Sequence, residues 1–179
     1  MSDALADPFL ALVDIDARCR VGSTLLPRQE NPDDYWSGVV FVLNGEHFVA
    51  PLTEVFEIMH MPVLTKVPGA RAWLKGIANV RAMLVPVADL LAFLGKRPSF
   101  SRRQRVLVIH QESTPVGVIV DDVIGLQHFE QSQRMDSAVH IDDALRPFIL
   151  GAFAREDKVW PVFSPQALTR HASFKLVAL

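Results

Sequence analysis

The sequence predicts a mainly β protein made of two small closed barrels, with a helical arm in front and a short helix behind. Three observations predict it. Short, valine-rich apolar runs recur between turn signals. An ordered series of motifs occurs twice along the chain. Each copy has about sixty residues, which is marginal for an independent core, so the two copies share an interface.

Residues 8–20 read as a helix, with Asp7 as its cap and Pro8 at the first helical position. Phe9, Leu12, Val13 and Val21 recur at helical spacing. They serve equally well to dock a partner or to pack on the chain's own barrel. "VGSTLLPRQENPDD" is a polar, turn-rich linker. "GVVFVL" is a buried-type strand, Asn44-Gly45 marks a tight hairpin, and "EHFVAP" is the return strand. "EVFEIM" alternates. Phe56 and Ile58 share one face, expected to be the core face, and Val55 and Glu57 share the other, expected to point outward. "GIANVR" and "MLVPV" are two further strands, and Pro86 places the second at an edge or a bend. Asp89 caps a short helix over Leu90 to Leu94, and Gly95 ends it. A basic connector, "GKRPSFSRRQR", leads to "VLVIH", a turn at "QESTP", "VGVIVDDVIGL" and "KVWPVF". Ser164-Pro165 opens a final short helix.

The two copies align in order. Phe48 falls on Val116, Leu52 on Val120, Glu54 on Asp122, Val55 on Val123 and Ile58 on Leu126. Further on, Gly76 falls on Gly151 and "LVPVAD" on "VWPVFS". The expected organisation is an arm and linker over 1–34, a first barrel subdomain over 35–97 and a second over 98–179. Residues 35–175 together form one domain.

Composition excludes several functions. Formal net charge is −2, which does not point to a nucleic-acid partner or an anionic membrane. Cys19 is the only cysteine, so no intrachain disulfide or cysteine metal cluster forms. The N-terminus lacks a signal peptide's basic and apolar regions, and no run is long enough to span a bilayer, so a cytoplasmic protein is expected. The chain has no G-x-S-x-G, H-E-x-x-H, Walker A or G-x-G-x-x-G motif, and its six histidines are scattered singly. Asp121-Asp122 and Asp142-Asp143 are adjacent pairs that diverge on a strand, so they read as caps and turns and not as paired acid–base groups. No catalytic residue, metal or cofactor is expected. The rival reading is a small-molecule-binding or enzymatic double barrel, which a pocket with convergent polar groups would favour.

Arg81 interrupts an apolar run, "KGIANVRAMLVPVADLLAFLG". That run resembles the signature of the CheW-like chemotaxis coupling domain: Val-Pro, then Gly-[IV]-x-Asn-[LV]-Arg-Gly, then apolar-Pro-Val-x-Asp-Leu. The matching residues are Val67, Pro68, Gly76, Asn79, Val80, Arg81, Pro86, Val87, Asp89 and Leu90. Upstream, Val55, Glu57 and Ile58 match Val-x-Glu-Ile. Downstream, Val116 to Asp121 and Val123 match apolar-Gly-[IV]-[IV]-Val-Asp-x-Val. The resemblance covers residues 37–172. The arm, with "LVDIDARCR" and "LPRQE", is similar to that of the adaptor in type IV pilus (twitching motility) chemosensory systems.

The resemblance implies two intertwined, SH3-like five-stranded β-barrels. It implies a non-enzymatic adaptor coupling the cytoplasmic tip of membrane chemoreceptors to the regulatory domain of a CheA-like histidine kinase. It also implies that Glu57 pairs with Arg81, and it places Val55, Glu57, Gly76, Arg81, Gly117 and Leu126 at partner surfaces. Ala82 departs from the pattern, because it stands where the family has glycine. If the turn needs a positive φ there, a β-carbon costs roughly 1–2 kcal/mol.

Overall fold

The computed structural model describes residues 8–22, 34–111, 114–136, 141–155 and 157–176. The chain divides into two units, Met1–Asp33 and Asp34–Leu179. The first contains helix α1 (Pro8–Gly22), two residues longer than the spacing predicts. The expected Asp7 cap and most of the linker, 23–33, lie outside the described residues.

The second unit carries every strand. The first copy gives β1 (Tyr35–Leu43), β2 (Glu46–Pro51), β3 (Val55–His60), β4 (Leu74–Val80), β5 (Met83–Asp89) and helix α2 (Leu90–Phe93). The second copy gives β6 (Arg105–Gln111), β7 (Thr114–Val120), β8 (Asp122–Glu130), a two-residue β9 (Arg134–Met135), β10 (Ile149–Arg155), β11 (Lys158–Phe163) and helix α3 (Pro165–Arg170). Helix α4 (Ala172–Lys175) follows.

The caps act as expected. The Asp89 carboxylate accepts from the Ala92 N–H at 3.1 Å, and Ser164 Oγ accepts from the Ala167 N–H at 3.0 Å. Asn44 and Gly45 both take positive φ, 52° and 82°, in the β1–β2 turn. The paired aspartates serve turns: Asp121 accepts from the Asn44 N–H, Asp122 from the Val123 N–H, and Asp142 from the Ala144 N–H.

The strands form two sheets, ordered β8-β1-β2-β11-β10-β9 and β3-β6-β7-β5-β4. Each sheet curls into a barrel of the SH3-like kind. Neither barrel is built from 35–97 or from 98–179 alone. Each copy keeps its first hairpin in one barrel and sends its remaining strands to the other. Hence β1 pairs with β8 and β3 with β6. The repeat reveals two equal units, but nothing in it says which unit's strands pair. Strand β5 also departs from expectation, since it lies inside its sheet, between β7 and β4. Pro86 is tolerated because the parallel ladder to β7 starts one residue later, at Val87 opposite Gly117.

The exchange leaves three cores. Inside the five-stranded barrel lie Ala78, Val80, Val85, Val87, Val106, Val108 and Ile119. Inside the six-stranded barrel lie Val40, Val49, Phe129, Phe153 and Val162. The opposite faces of the same strands build the largest core between the barrels. Val39, Phe41, Phe48 and Ala50 there meet Leu107, Ile109, Val118 and Val120, with Leu90, Leu168 and Phe174 from the helices. Both faces of these strands are therefore buried, which is why "GVVFVL" and "VLVI" read as unbroken apolar runs. Glu54 ties the first copy to α3: its Oε2 accepts from Ser164 Oγ and from the Gln166 N–H, each at 2.8 Å.

Gly76 and Gly151 occupy equivalent bulges, at φ 150° and 137°. A β-carbon would approach the Thr65 carbonyl oxygen to 2.5 Å in one and the Met135 carbonyl oxygen to 2.6 Å in the other. Gly76→Ala and Gly151→Ala should therefore each destabilise by about 1–3 kcal/mol, read as lower urea midpoints.

The connector after α2 is tied down by Lys96, whose Nζ lies 2.6 Å from an Asp142 carboxylate oxygen. That hydrogen bond, helped by the Ala144 N–H, holds the Asp142 carboxyl below its ordinary value. A lowered folded-state pKa stabilises above the unfolded pKa, and the contribution fades as pH falls through the lowered value. In Lys96→Met the Asp142 titration, followed by carboxyl NMR, should move back up toward the ordinary range.

Candidate functional site

The five-stranded sheet has β3 and β4 as its edge strands, and β4 is bridged on its outer side by Thr65, which exchanges hydrogen bonds of 2.9 and 2.8 Å with Ile77. The seam where the turn after β4 reaches β3, through Arg81 and Glu57, is the candidate site. Val80 pairs with Met83, so Arg81 and Ala82 form a two-residue hairpin loop. Their φ angles are 50° and 65°. Tight hairpins need positive φ at both loop residues, which favours Asn-Gly. Arg-Ala meets the same need against its steric preference, at roughly 1–2 kcal/mol per residue. Arg81 is thus a loop residue held in a strained geometry, and Ala82 takes the positive φ that its departure from the pattern put in question, with the strain borne in the turn.

Glu57 projects into the seam from β3. Exposure alternates along this strand, but the exposed face is the one expected to be buried. A bulge between Val55 and Glu57 turns the strand, so that Val55, opposite Ile109, packs on the shared core, whereas Glu57, opposite Val108, and Met59, opposite Val106, face the interior of the five-stranded barrel. Phe56 and Ile58 are the outward residues, 45% and 42% exposed. Hydropathy alone assigns the aromatic inward and the carboxylate outward. The seam inverts this, because there an inner-face carboxylate meets a cation.

Arg81 Nη2 donates to Glu57 Oε1 at 3.1 Å. The Glu57 side chain is 21% exposed and that of Arg81 68%. With the cation so open, the pair stabilises the fold by only about 0–1 kcal/mol. The second carboxylate oxygen, Oε2, is buried with no donor. The pair leaves a guanidinium with free N–H groups facing solvent and a carboxylate with unused acceptor capacity. Chemically, this arrangement has donors and an acceptor to offer to polar groups brought against it. It holds no nucleophile, and among the described residues no group of three or more His, Cys, Asp or Glu is placed to hold a metal.

The remaining expected residues divide. Gly76 and Gly117 are buried. A β-carbon on Gly117 would sit 2.8 Å from Val106, so this glycine serves packing between β6 and β7. Val55 is half-buried on the shared core. Leu126 is 49% exposed on β8, where Ile124 is exposed beside it. Sequence reasoning missed Phe56, Ile58 and Ile124 as surface residues. Their signal is that apolar residues alternate on edge strands whose other faces are already filled.

The CheW-like domain model matches residues 37–173. The chain belongs to the CheW-like family. It is 46% identical to Protein PilI of Pseudomonas aeruginosa over 180 residues, covering all of both chains. It is 33% identical to Protein FrzA of Myxococcus xanthus over 43% of this chain and 49% of that one. The scaffolding protein TtCheW of Thermoanaerobacter tengcongensis has the same fold, with a TM-score of 0.67 and 23% identity over 77% of this chain and 94% of that one. CheW-like proteins are scaffolds and adaptors, in general without catalytic activity. No helix among the described residues is long and apolar enough to cross a membrane.

Glycine at position 82 would relieve the loop strain. Ala82→Gly should raise stability by about 1 kcal/mol, seen as a melting temperature higher by a few degrees.

Proposed function

We propose that this chain is a cytoplasmic, non-enzymatic adaptor coupling membrane chemoreceptors to a CheA-like histidine kinase, in a chemosensory system that controls type IV pili. The observation that carries the reading is the Glu57–Arg81 pair across the barrel seam, with Phe56 and Ile58 exposed on the outer face of the same strand. An ion pair whose cation is largely open to solvent and held on a strained turn adds little to folding, so its value lies in orientation at a partner surface. Full-length similarity to PilI supports the pilus branch.

In this reading the seam of the five-stranded barrel meets the kinase's regulatory domain, with Arg81 as the charged anchor and Glu57 as the group that orients it. Leu126, on β8, belongs to the receptor-facing surface. Val55, Gly76 and Gly117 act through packing, by setting the position of β3 and of the seam. The adaptor reaches the membrane through the receptor array and not by insertion.

Titration calorimetry of the full chain against the regulatory domain of the cognate kinase tests this. Wild type should bind at micromolar Kd or tighter. Arg81→Ala and Glu57→Ala should each weaken binding by about tenfold or more, with little change in melting temperature. Binding that neither change affects moves the kinase contact away from the seam. No binding to the kinase domain overturns the coupling role.

A further inference from the structure

Charge is unevenly spread along the chain. Between Asp89 and Glu112 lie five of its 18 Lys and Arg residues, Lys96, Arg97, Arg102, Arg103 and Arg105, and none of its 20 Asp and Glu residues. All five stand in the connector between α2 and β6 or at its end, a segment that the Glu57–Arg81 seam does not use. The Arg81 turn precedes β5, and the connector follows β5 and α2. The seven residues of β5, about 20 Å of strand, separate the two.

The connector is built by its own hydrogen bonds. The Gln104 side-chain amide donates to the Ser99 carbonyl at 2.9 Å, and the Gln104 N–H donates to the Ser101 carbonyl at 3.2 Å. Ser101 Oγ accepts from the Arg103 N–H at 3.1 Å. Arg105 Nη1 turns back and donates to the Arg103 and Gln104 carbonyls, at 2.8 and 2.9 Å. Lys96 is held by Asp142. Arg97, Arg102 and Arg103 remain, exposed and without an ion pair among the described residues. The carboxylates that come next in chain and sheet are engaged elsewhere. Asp89, at the end of β5, is buried against Lys75. Asp121 follows Val120, the partner of Arg105, and accepts from the Asn44 N–H. Asp143, beside Asp142, pairs with Arg146. In the middle of the loop, Phe100 is 93% exposed.

We propose that this loop docks a partner protein whose surface is acidic around an apolar recess. Phe100 fills the recess, and Arg97, Arg102 and Arg103 pair with the carboxylates about it. A single exposed phenyl is ordinary on a protein surface. A phenyl flanked by arginines has the composition of an interface centre, and on a hydrogen-bonded loop it loses little entropy when covered. The acidity of the rest of the chain favours a protein over other polyanions. A membrane or a nucleic-acid duplex spreads negative charge over an area that meets the whole chain, whose net charge is −2. An acidic patch on a protein meets only what lies within a Debye length, about 8 Å, and there the loop is cationic. One aromatic also makes no stacking platform for bases. This inference goes beyond the kinase contact proposed above and does not depend on it, because the two surfaces lie at opposite ends of β5.

Backbone amide signals of the full chain, read by ¹H–¹⁵N NMR, provide the test. The peptide acetyl-Glu-Glu-Leu-Leu-Glu-Glu-amide, at millimolar concentration, should shift the signals of Ser99 to Gln104, and acetyl-Gln-Gln-Leu-Leu-Gln-Gln-amide should not. Arg102→Ser combined with Arg103→Ser should weaken the response roughly tenfold, and Phe100→Ala roughly threefold, each at unchanged melting temperature. Sedimentation with phosphatidylglycerol vesicles at the same salt should leave the chain in solution. No shift in the loop with the glutamate peptide would overturn the proposal. So would an equal response to the glutamine peptide or an unchanged affinity in either variant. Co-sedimentation with the vesicles that the arginine variant abolishes would also overturn it, and would assign the loop to a membrane surface.

Discussion

The core between the barrels is the constraint on which the rest of the structure depends. Each barrel interior holds only a few side chains, Val and Ala in one and Phe and Val in the other. Most of the large apolar residues instead meet between the two sheets. A strand buried on both faces cannot leave one barrel without exposing apolar surface in the shared core. At roughly 25 cal/mol per Å² of apolar surface, that exposure outweighs any single ion pair on the outside. Exchange of strands between the copies strengthens the coupling, because it makes each barrel's sheet depend on both halves of the chain. Surface features such as the Arg81 turn are free to be strained because the frame beneath them is determined twice over.

Within that frame, duplication supplies two equivalent seams and the side chains make them different. One is filled with apolar residues and bridged by Glu57 and Arg81. The other is an open cleft lined by Gln127, Phe129, Arg155, Lys158 and Trp160. The turns show the same division of labour. Asn44-Gly45 meets the conformational demand of a tight hairpin with residues suited to it. Arg81-Ala82 meets the same demand with residues that are not, and in return puts a guanidinium at the seam. Strain of this kind persists where a side chain is needed more than an unstrained backbone.

Much of this was legible in the sequence, because much of it is local. The strand runs, the Asn44-Gly45 turn, the caps at Asp89 and Ser164 and the paired glycines Gly76 and Gly151 each carry their own signal within a few residues. The pairing of Glu57 with Arg81 followed from a family pattern and not from spacing. What could not be read is what depends on distant partners. Alternation in β3 gives two faces but does not say which is inward, and polarity points the wrong way at a seam. The repeat gives two copies but does not reveal that they trade strands. Pro86 warned of an edge, yet a ladder that begins one residue later accommodates it inside the sheet.

Strand exchange also sets the order in which the chain becomes foldable as it emerges from the ribosome. The five-stranded sheet uses β3 to β7, so all its strands exist once Val120 has been made. The six-stranded sheet is complete only with β11, which ends at Phe163, although β1 and β2 are among the first strands synthesised. The apolar hairpin of β1 and β2 must therefore wait, with no partner for β1 until β8 has been made and none for β2 until β11. Pairing across such sequence separation is slow, and exposed strand edges are prone to aggregate. The barrel that begins first is finished last, and its leading hairpin carries exposed edges until the second copy is made.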